Sequence, residues 1–480
     1  MSRRHDLVIL GGGTGGLVAA QIAAGIGARV ALVERDRTGG DCLWTGCVPS
    51  KSLIAIAATA HRMRHADALG LPAVDPEIDL ARVMEQVRRV ICEIEPHDSP
   101  AHLRAGGVEV IQADGQFTGP GRIEAGGHEL RWRAAIIATG SEPAAPPIPG
   151  LGDARPLSTD TLWDLRELPR RLLVLGGGPI GCELAQAFTR LGAEVTVVEL
   201  ADRLLLKEER QASELIRSRL EREGVRLLLG ARATAVSPVR DGGYELTLER
   251  GRPRVGFDQV LLATGRRPRT ADLGLETLGV ELGDRDAVRV DARLRTSARG
   301  VYAVGDVTGL LPFTHVAAHH ARVATPNALF GARQKVSDTV PWVTFTDPEV
   351  ARVGLTEEQA RERWGERVQI AQSDYSDLDR AVTAGTAYGF AKLVGDRRGR
   401  LVGATVCAPA AGEAIAELTA WVTQRGRIAD ISRTIHAYPT LAEGPARAAD
   451  QLLTARLRDS RARVLAKPAL ATLRCIDAIR

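Results

Sequence analysis

A chain of 480 residues, 44% hydrophobic and 25% charged, has the composition of an ordinary soluble globular protein with room for about three domains. Its net charge of +4 comes from interspersed acids and bases, which excludes a nucleic-acid-binding stripe. Runs of 18 apolar residues are missing, so no membrane span is expected, and six scattered cysteines exclude a secreted disulfide framework. These features together predict a cytoplasmic location.

Met1 to Asp6 leads straight into an apolar run, Leu7 to Leu10, which reads as a first strand rather than a signal peptide. Gly11-Gly12-Gly13-Thr14-Gly15-Gly16 follows, then an Ala-rich helical stretch to Gly27, then a second apolar run from Arg29 to Val33 that ends at Glu34. The same grammar returns further along. Leu172 to Leu175 precedes Gly176-Gly177-Gly178-Pro179-Ile180-Gly181, a helical stretch from Cys182 to Leu191, and Glu194 to Val198 ending at Glu199.

In both copies the acid lies 18 residues after the last glycine, close to the spacing of about 20 of a dinucleotide-binding unit. The first glycine (Gly11, Gly176) makes the tight turn, and the second (Gly13, Gly178) lets backbone approach a pyrophosphate. The third (Gly16, Gly181) lets helix and strand pack closely, and the helix N-terminus favours the phosphate charge. The acids Glu34 and Glu199 would receive ribose hydroxyls. Two such units imply two dinucleotides, FAD on the first and a nicotinamide on the second. Glu199 favours NADH over NADPH, because a 2′-phosphate would meet a carboxylate, although Arg203 stands close by. Ala135 to Gly140 and Val260 to Gly265 are apolar strands with the same Ala-Thr-Gly ending, each closing its unit. Pro143, Pro146, Pro147 and Pro149 then mark a stiff, extended linker.

Between the first unit's Glu34 and its closing strand lies Gly39-Gly40-Asp41-Cys42-Leu43-Trp44-Thr45-Gly46-Cys47-Val48-Pro49-Ser50-Lys51. Positions five apart in a regular helix are ~7.5 Å apart along its axis. A disulfide needs its Cα atoms ~4.4–6.8 Å apart. Joining Cys42 to Cys47 therefore needs a distorted turn, which Gly46 can supply. Pro49 suits the first turn of a helix starting just after Cys47, where a thiol ionises readily. A metal site would need a second pair of ligands at similar spacing, and the sequence has none. We read Cys42 and Cys47 as a redox couple.

This segment resembles the active-site motif of the flavin disulfide reductases, the family of dihydrolipoamide dehydrogenase, glutathione reductase and mercuric reductase. The resemblance extends over about residues 5–455. Val301-Tyr302-Ala303-Val304-Gly305-Asp306 is similar to the family's second FAD motif, and Pro348 to Thr356 to the opening of its dimerisation domain. The resemblance implies an α/β fold with two Rossmann-like domains, for FAD and NAD(P), plus an α+β dimerisation domain. The expected boundaries are 1–150 (FAD, with the cysteine pair), 151–270 (NAD(P)), 271–338 (return to the FAD domain), 339–455 (dimerisation) and 456–480 (a basic tail). It further implies that Cys47 faces the flavin and Cys42 meets the substrate. Lys51 would lie near flavin N5 and pair with Glu183, and Asp306 would bind the ribityl chain. Gly115, Thr139, Gly140 and Gly265 complete the cofactor-binding set.

The C-terminal domain departs from the dithiol-handling members. There a histidine directly precedes Pro-Thr, a glutamate follows it by five, and both reach the partner subunit's disulfide. Here the segment runs His436-Ala437-Tyr438-Pro439-Thr440-Leu441-Ala442-Glu443. Glu443 is present, but Tyr438 occupies the base position. Tyrosine, with a pKa near 10, is a poor proton shuttle at neutral pH, whereas histidine, near 6.5, is a good one. We read His436, two residues away, as structural.

Tyr438, the stretch Ala408 to Glu413 and the run Gly389 to Val394 resemble mercuric reductase more closely. That enzyme's leading metal-scavenging domain and terminal Cys-Cys pair are not matched, the tail carrying Cys475 alone. The expected function is a homodimeric NAD(P)H oxidoreductase that passes electrons through Cys42 and Cys47 to a metal ion or small electrophile. The alternatives are a dihydrolipoamide dehydrogenase-type disulfide reductase, and a flavoprotein diaphorase, quinone reductase or redox sensor.

Three smaller features have bland readings. His315, His319 and His320 are read as packing or flavin-side residues rather than a metal site. Cys182 and Cys407 sit in apolar contexts as core thiols. The tail from Leu453 reads as an amphipathic, arginine-rich helix broken at Pro468.

Overall fold

The computed structural model describes residues 4–240, 242–249, 251–459, 467–468, 470–472 and 474. Of the predicted tail, the segment up to Asp459 ends the helix Glu443–Asp459, while most of the remainder, Cys475 included, lies outside the described residues. The chain forms two units. The first takes Met1–Asp67, Pro72–Arg203 and Leu220–Asp338; the second takes Ala68–Leu71, Leu204–Arg219 and Thr339–Arg480.

The first unit holds two sheets with parallel strands at their centre, the first of them extended by the antiparallel strands Arg122–Ala125 and Gly115–Gly119 beyond His128–Ile137. In the first sheet Val108–Gln112, Val30–Glu34, His5–Leu10 and His128–Ile137 lie side by side in that order. Val301–Ala303 joins the far edge of His128–Ile137 in parallel register, Ala303 opposite Ile137. Unbroken apolar runs suit these strands because both faces are covered. Leu7 and Ile9 pack on one side with Ala19, Ala20 and Leu32, and Val8 and Leu10 on the other with Phe117 and Ile123. Each fully buried Leu, Ile, Val or Phe among them contributes roughly 1.5–3 kcal/mol. The second sheet repeats the pattern with four parallel strands, Arg226–Leu228, Glu194–Val198, Arg171–Leu175 and Gln259–Leu262.

A two-stranded antiparallel pair, Ser141–Pro143 with Arg266–Pro268, joins the residues that follow the two Ala-Thr-Gly endings. The Pro-rich stretch predicted as an extended linker begins in this pair.

The second unit is built on a five-stranded antiparallel sheet. Its order is Pro341–Thr344, Glu349–Gly354, Leu401–Ala408, Phe390–Gly395 and Gln369–Asp374. The helix Ala411–Thr423 and the helix Glu443–Asp459 supply apolar residues to its core, among them Ile415, Leu418, Ala448 and Ala449. None of the described helices is long and apolar enough to cross a membrane.

Candidate active site

The two glycine loops adopt the same geometry. Gly11 has φ +105° and Gly176 φ +110°, and a Cβ on either would lie 2.3–2.4 Å from a carbonyl oxygen of the neighbouring Ala-Thr-Gly strand end. A Cβ on Gly16 or Gly181 would lie 1.9–2.0 Å from the carbonyl of the loop's own first glycine. The middle glycines differ in kind. A Cβ on Gly13 would meet nothing nearer than 3.8 Å, and one on Gly178 nothing within 4 Å. Each loop is thus closed where protein packs on protein and open where a pyrophosphate would approach.

The two acids also behave alike. Glu34 accepts from Gly12 N at 2.5 Å and Asp36 N at 2.8 Å. Glu199 accepts from Gly177 N at 2.5 Å and Ala201 N at 2.7 Å. The carboxylates expected to receive ribose hydroxyls therefore also brace the glycine loops.

A cavity of ≈840 Å³ opens along the first loop, within the range of a cofactor site. It brings together Gly11, Gly13, Glu34, Cys42, Cys47, Lys51, Gly115, Thr139, Gly140, Glu183 and Asp306. Thr45 Oγ1, Asp160 Oδ1 and Arg269 Nε also line it, buried and without a hydrogen-bond partner in the chain. Such orphaned groups demand a polar partner, which fits an extended polar ligand such as FAD. Gly16 packs beneath the loop, Gly265 carries φ +116° at the end of the second closing strand, and Gly176, Gly178, Gly181 and Glu199 form the second loop.

The cysteine segment breaks between two helices. Cys42 lies in the short helix Gly40–Trp44 and Cys47 begins the helix Cys47–Arg64. Gly46 joins them with φ −117° and ψ −105°, and a Cβ there would lie 2.8 Å from Asp41 O. This is the distorted turn that the five-residue spacing requires. Both thiols are free, Cys47 exposed and Cys42 half-buried.

They are electrically unlike. A hydrogen bond from Cys42 is the largest influence on Cys47 and pulls it down to about 6, against burial; Thr314 and Lys51 act in the same downward direction. Cys42 is pushed up, first by that contact with Cys47 and then by burial. In the dithiol form these influences favour a Cys47 thiolate beside a Cys42 thiol. Thr314 Oγ1, at the start of the helix Thr314–Phe330, lies 3.3 Å from Cys47 Sγ. Lys51, one turn into the Cys47–Arg64 helix, donates to Glu183 at 2.8 Å. Glu183 is 6% exposed on a helix of the second nucleotide unit, so its charge is held by Lys51 rather than by water. In the dithiol form, alkylation of Cys47 by iodoacetamide should fall away as pH drops through about 6. Lys51→Met should move that midpoint up by about one unit, read peptide by peptide in a mass spectrometer.

An arginine clamp stands beside the pair, and the sequence did not announce it. Arg266 binds the Asp41 carboxylate through Nη2, Ser141 Oγ through Nε at 2.7 Å and Ser141 O through Nη2 at 2.8 Å. Ser141 Oγ in turn donates to Asp306 at 2.7 Å. Burial pushes the Asp306 carboxyl up, and the Ser141 bond and Arg266 oppose it. Arg269 adds a longer contact to Asp41, at 3.4 Å. The only available signal was position, since Ser141 and Arg266 directly follow the two Ala-Thr-Gly endings.

The histidines after Asp306 serve packing. His320 Nδ1 accepts from Gly305 N at 3.2 Å, and burial holds its pKa down to about 4. His319 Nε2 accepts from Ser337 N at 3.0 Å, and His315 stacks on Phe313. Cys182 and Cys407 are buried, and burial pushes both thiols up.

Tyr438 and Glu443 belong to the second unit. Tyr438 is 69% exposed and its hydroxyl donates to Asp379 at 2.5 Å. Glu443, at the head of the helix Glu443–Asp459, accepts from Thr440 N at 3.0 Å. His436 is committed elsewhere: Nδ1 faces Thr434 O at 2.8 Å and Nε2 faces Glu417 at 3.1 Å.

Compared with known proteins, residues 5–321 match the pyridine nucleotide-disulphide oxidoreductases, and residues 340–449 match the dimerisation domain of the same group. The chain belongs to this family. Its members use FAD and NAD(P)H, and the chain is accordingly an oxidoreductase with a disulfide redox centre. The oxidoreductase is 38% identical to a dihydrolipoyl dehydrogenase of Thermus scotoductus, over 94% of this chain and 98% of that protein. It is 35% identical to a mercuric reductase of Bacillus cereus, over 92% of this chain and 70% of that protein. Among solved structures, LpdA from Mycobacterium tuberculosis superposes with a TM-score of 0.85 at 32% identity, covering 93% of this chain and 99% of that one. The Cu(II) complex of the HOCl-induced flavoprotein disulfide reductase RclA from Escherichia coli gives 0.84 at 28% identity, covering 94% and 99%.

Proposed function

We propose that this oxidoreductase moves electrons from NADH, through FAD and the Cys42–Cys47 pair, to a metal ion or a small electrophile. The observation that carries the reading is the chemistry of Tyr438. Its hydroxyl hydrogen is held by Asp379, and the neighbouring His436 is held by Glu417 and Thr434. A dithiol substrate needs a base that takes and returns protons near neutral pH, and an exposed phenol is poorly suited to that task. An oxygen with outward lone pairs suits a cation. Two relatives lend support, one named a mercuric reductase and the other solved as a Cu(II) complex.

FAD, when bound, supplies the two-electron step between nicotinamide and sulfur. The chain's own residues do the rest. Gly13 and Gly178 admit the two pyrophosphates, Gly115, Thr139, Gly140, Gly265 and Asp306 complete the cofactor contacts, and Glu199 favours NADH. Lys51 offsets negative charge near the cofactor, with Glu183 fixing its position. The oxidised pair gains two electrons and one proton to become a Cys47 thiolate and a Cys42 thiol. Cys42 then loses its proton as it bonds to the acceptor. We place the enzyme in the cytoplasm, where a cysteine pair stays exchangeable. We also read it as a homodimer in which Tyr438 and Glu443 serve the partner's cysteines. The dimerisation-domain match and the exposure of Ile435 and Tyr438 favour that arrangement.

The test is steady-state turnover of purified enzyme. NADH oxidation driven by mercuric or cupric ion, with lipoamide slower by about 100-fold or more in kcat/KM, is the expected result. Brisk lipoamide turnover would sink the proposal in favour of a dihydrolipoyl dehydrogenase, a reading favoured by the 38% identity to the Thermus enzyme.

A further inference from the structure

Asp379 has no place in the expectations drawn from the sequence, yet it makes the shortest described contact to Tyr438. Both partners stand on fixed backbone. Asp379 opens the short helix Asp379–Thr383 between Leu378 and Ala381, which are 1% and 0% exposed. The chain after Tyr438 is pinned by Tyr375 Oη donating to Leu441 O at 2.9 Å and Ser373 Oγ donating to Gly444 O at 2.7 Å. Neither group needs to be ordered afresh to meet the other.

A phenol carries one hydrogen and two lone pairs. With the hydrogen given to a carboxylate, in a charge-assisted bond of the strong kind, only acceptor capacity is left. Tyr438 therefore presents outward, toward the partner's cysteines in the homodimer read above, an oxygen made more electron-rich by Asp379. Resting on the metal-ion reading above, we propose that Asp379 is a positioning residue. It turns the Tyr438 oxygen outward as a cation ligand and takes the phenol proton when a metal ion binds.

The step balances: the metal–oxygen bond forms, the O–H bond breaks, and the proton ends on the Asp379 carboxylate. No electrons move. The other charged groups acting on Tyr438 are Glu443, which like Asp379 disfavours the phenolate, and Arg447, which favours it. The bond to Asp379 is the largest of these influences and holds the phenol pKa above its ordinary value. Removing it should ease ionisation in the absence of metal.

The experiment compares wild type, Asp379→Asn, Asp379→Glu and Tyr438→Phe as holoenzymes. The ionisation of Tyr438 is read as the ultraviolet difference titration against Tyr438→Phe, and mercuric ion is the acceptor in the NADH assay. Asp379→Asn should move the tyrosine titration to lower pH. It should raise KM for mercuric ion about tenfold while kcat changes less than about twofold, and Asp379→Glu should recover part of both. A tyrosine titration that Asp379→Asn leaves in place overturns the inference, as does an unchanged KM. A displaced titration in an enzyme whose wild type does not turn over mercuric ion supports the Tyr438–Asp379 pairing and overturns the acceptor reading.

Discussion

Cys42→Ser should abolish acceptor turnover, with a fall of about 1000-fold or more in kcat, while NADH still reduces the bound flavin at close to the wild-type rate. The asymmetry follows from the two sulfurs. Cys42 is the half-buried member whose thiol is pushed up, and Cys47 the exposed member whose ionisation is favoured by the Cys42 hydrogen bond first and then by Thr314 and Lys51. On the proposed mechanism, serine at 42 removes the nucleophile that meets the acceptor but leaves Cys47 and the Lys51–Glu183 pair in place. Stopped-flow reduction by NADH alongside steady-state turnover separates the two halves. If Cys42→Ser keeps its turnover with quinones and loses nothing with metal ions, the enzyme is a diaphorase and the cysteine pair is not on its path.

The second large effect lies in the second glycine loop, which we propose takes the nicotinamide dinucleotide and where two alanines should do opposite things. In Gly181→Ala the new Cβ would lie 2.0 Å from Gly176 O, a backbone atom that cannot rotate away. The helix Pro179–Leu191 must then lift off its strand, and Glu183 on that helix moves with it. We expect a loss of more than about 100-fold in flavin reduction by NADH together with a clear fall in melting temperature. In Gly178→Ala nothing lies within 4 Å of the new methyl group. The fold should keep its melting temperature, while KM for NADH rises about tenfold because the methyl occupies the approach of the pyrophosphate. Equal losses of stability in both variants would show that the loop is only a packing turn.

Much of this was legible because its cause is local. The apolar runs at Leu7 to Leu10 and Leu172 to Leu175 needed only a sheet covered on both faces to become strands, and the glycine spacing needed only backbone geometry. The cysteine turn was legible too, because five residues cannot span a regular helix and still bring two sulfurs together. What escaped was long-range side-chain pairing. Arg266 meets Asp41 across 225 residues, and Tyr438 meets Asp379 across 59. No periodicity records such a choice. The paired strands Ser141–Pro143 and Arg266–Pro268 were missed for a different reason: three residues are too few to display an alternation.

The first sheet also bears on how the protein is made. The strand Val301–Ala303 lies against Ala135 to Ile137, roughly 160 residues earlier in the chain. At a synthesis rate of about 5–20 residues per second, that interval lasts on the order of 10–30 s. Throughout it the nascent first nucleotide unit presents an unpaired strand edge, while the sheet of the second nucleotide unit, from Arg171–Leu175 to Gln259–Leu262, is translated and free to fold. Completion of folding can therefore run against the order of the sequence: the second nucleotide unit can be closed while the first still waits for its last strand, and it is in that waiting interval that a chaperone or early cofactor would matter most.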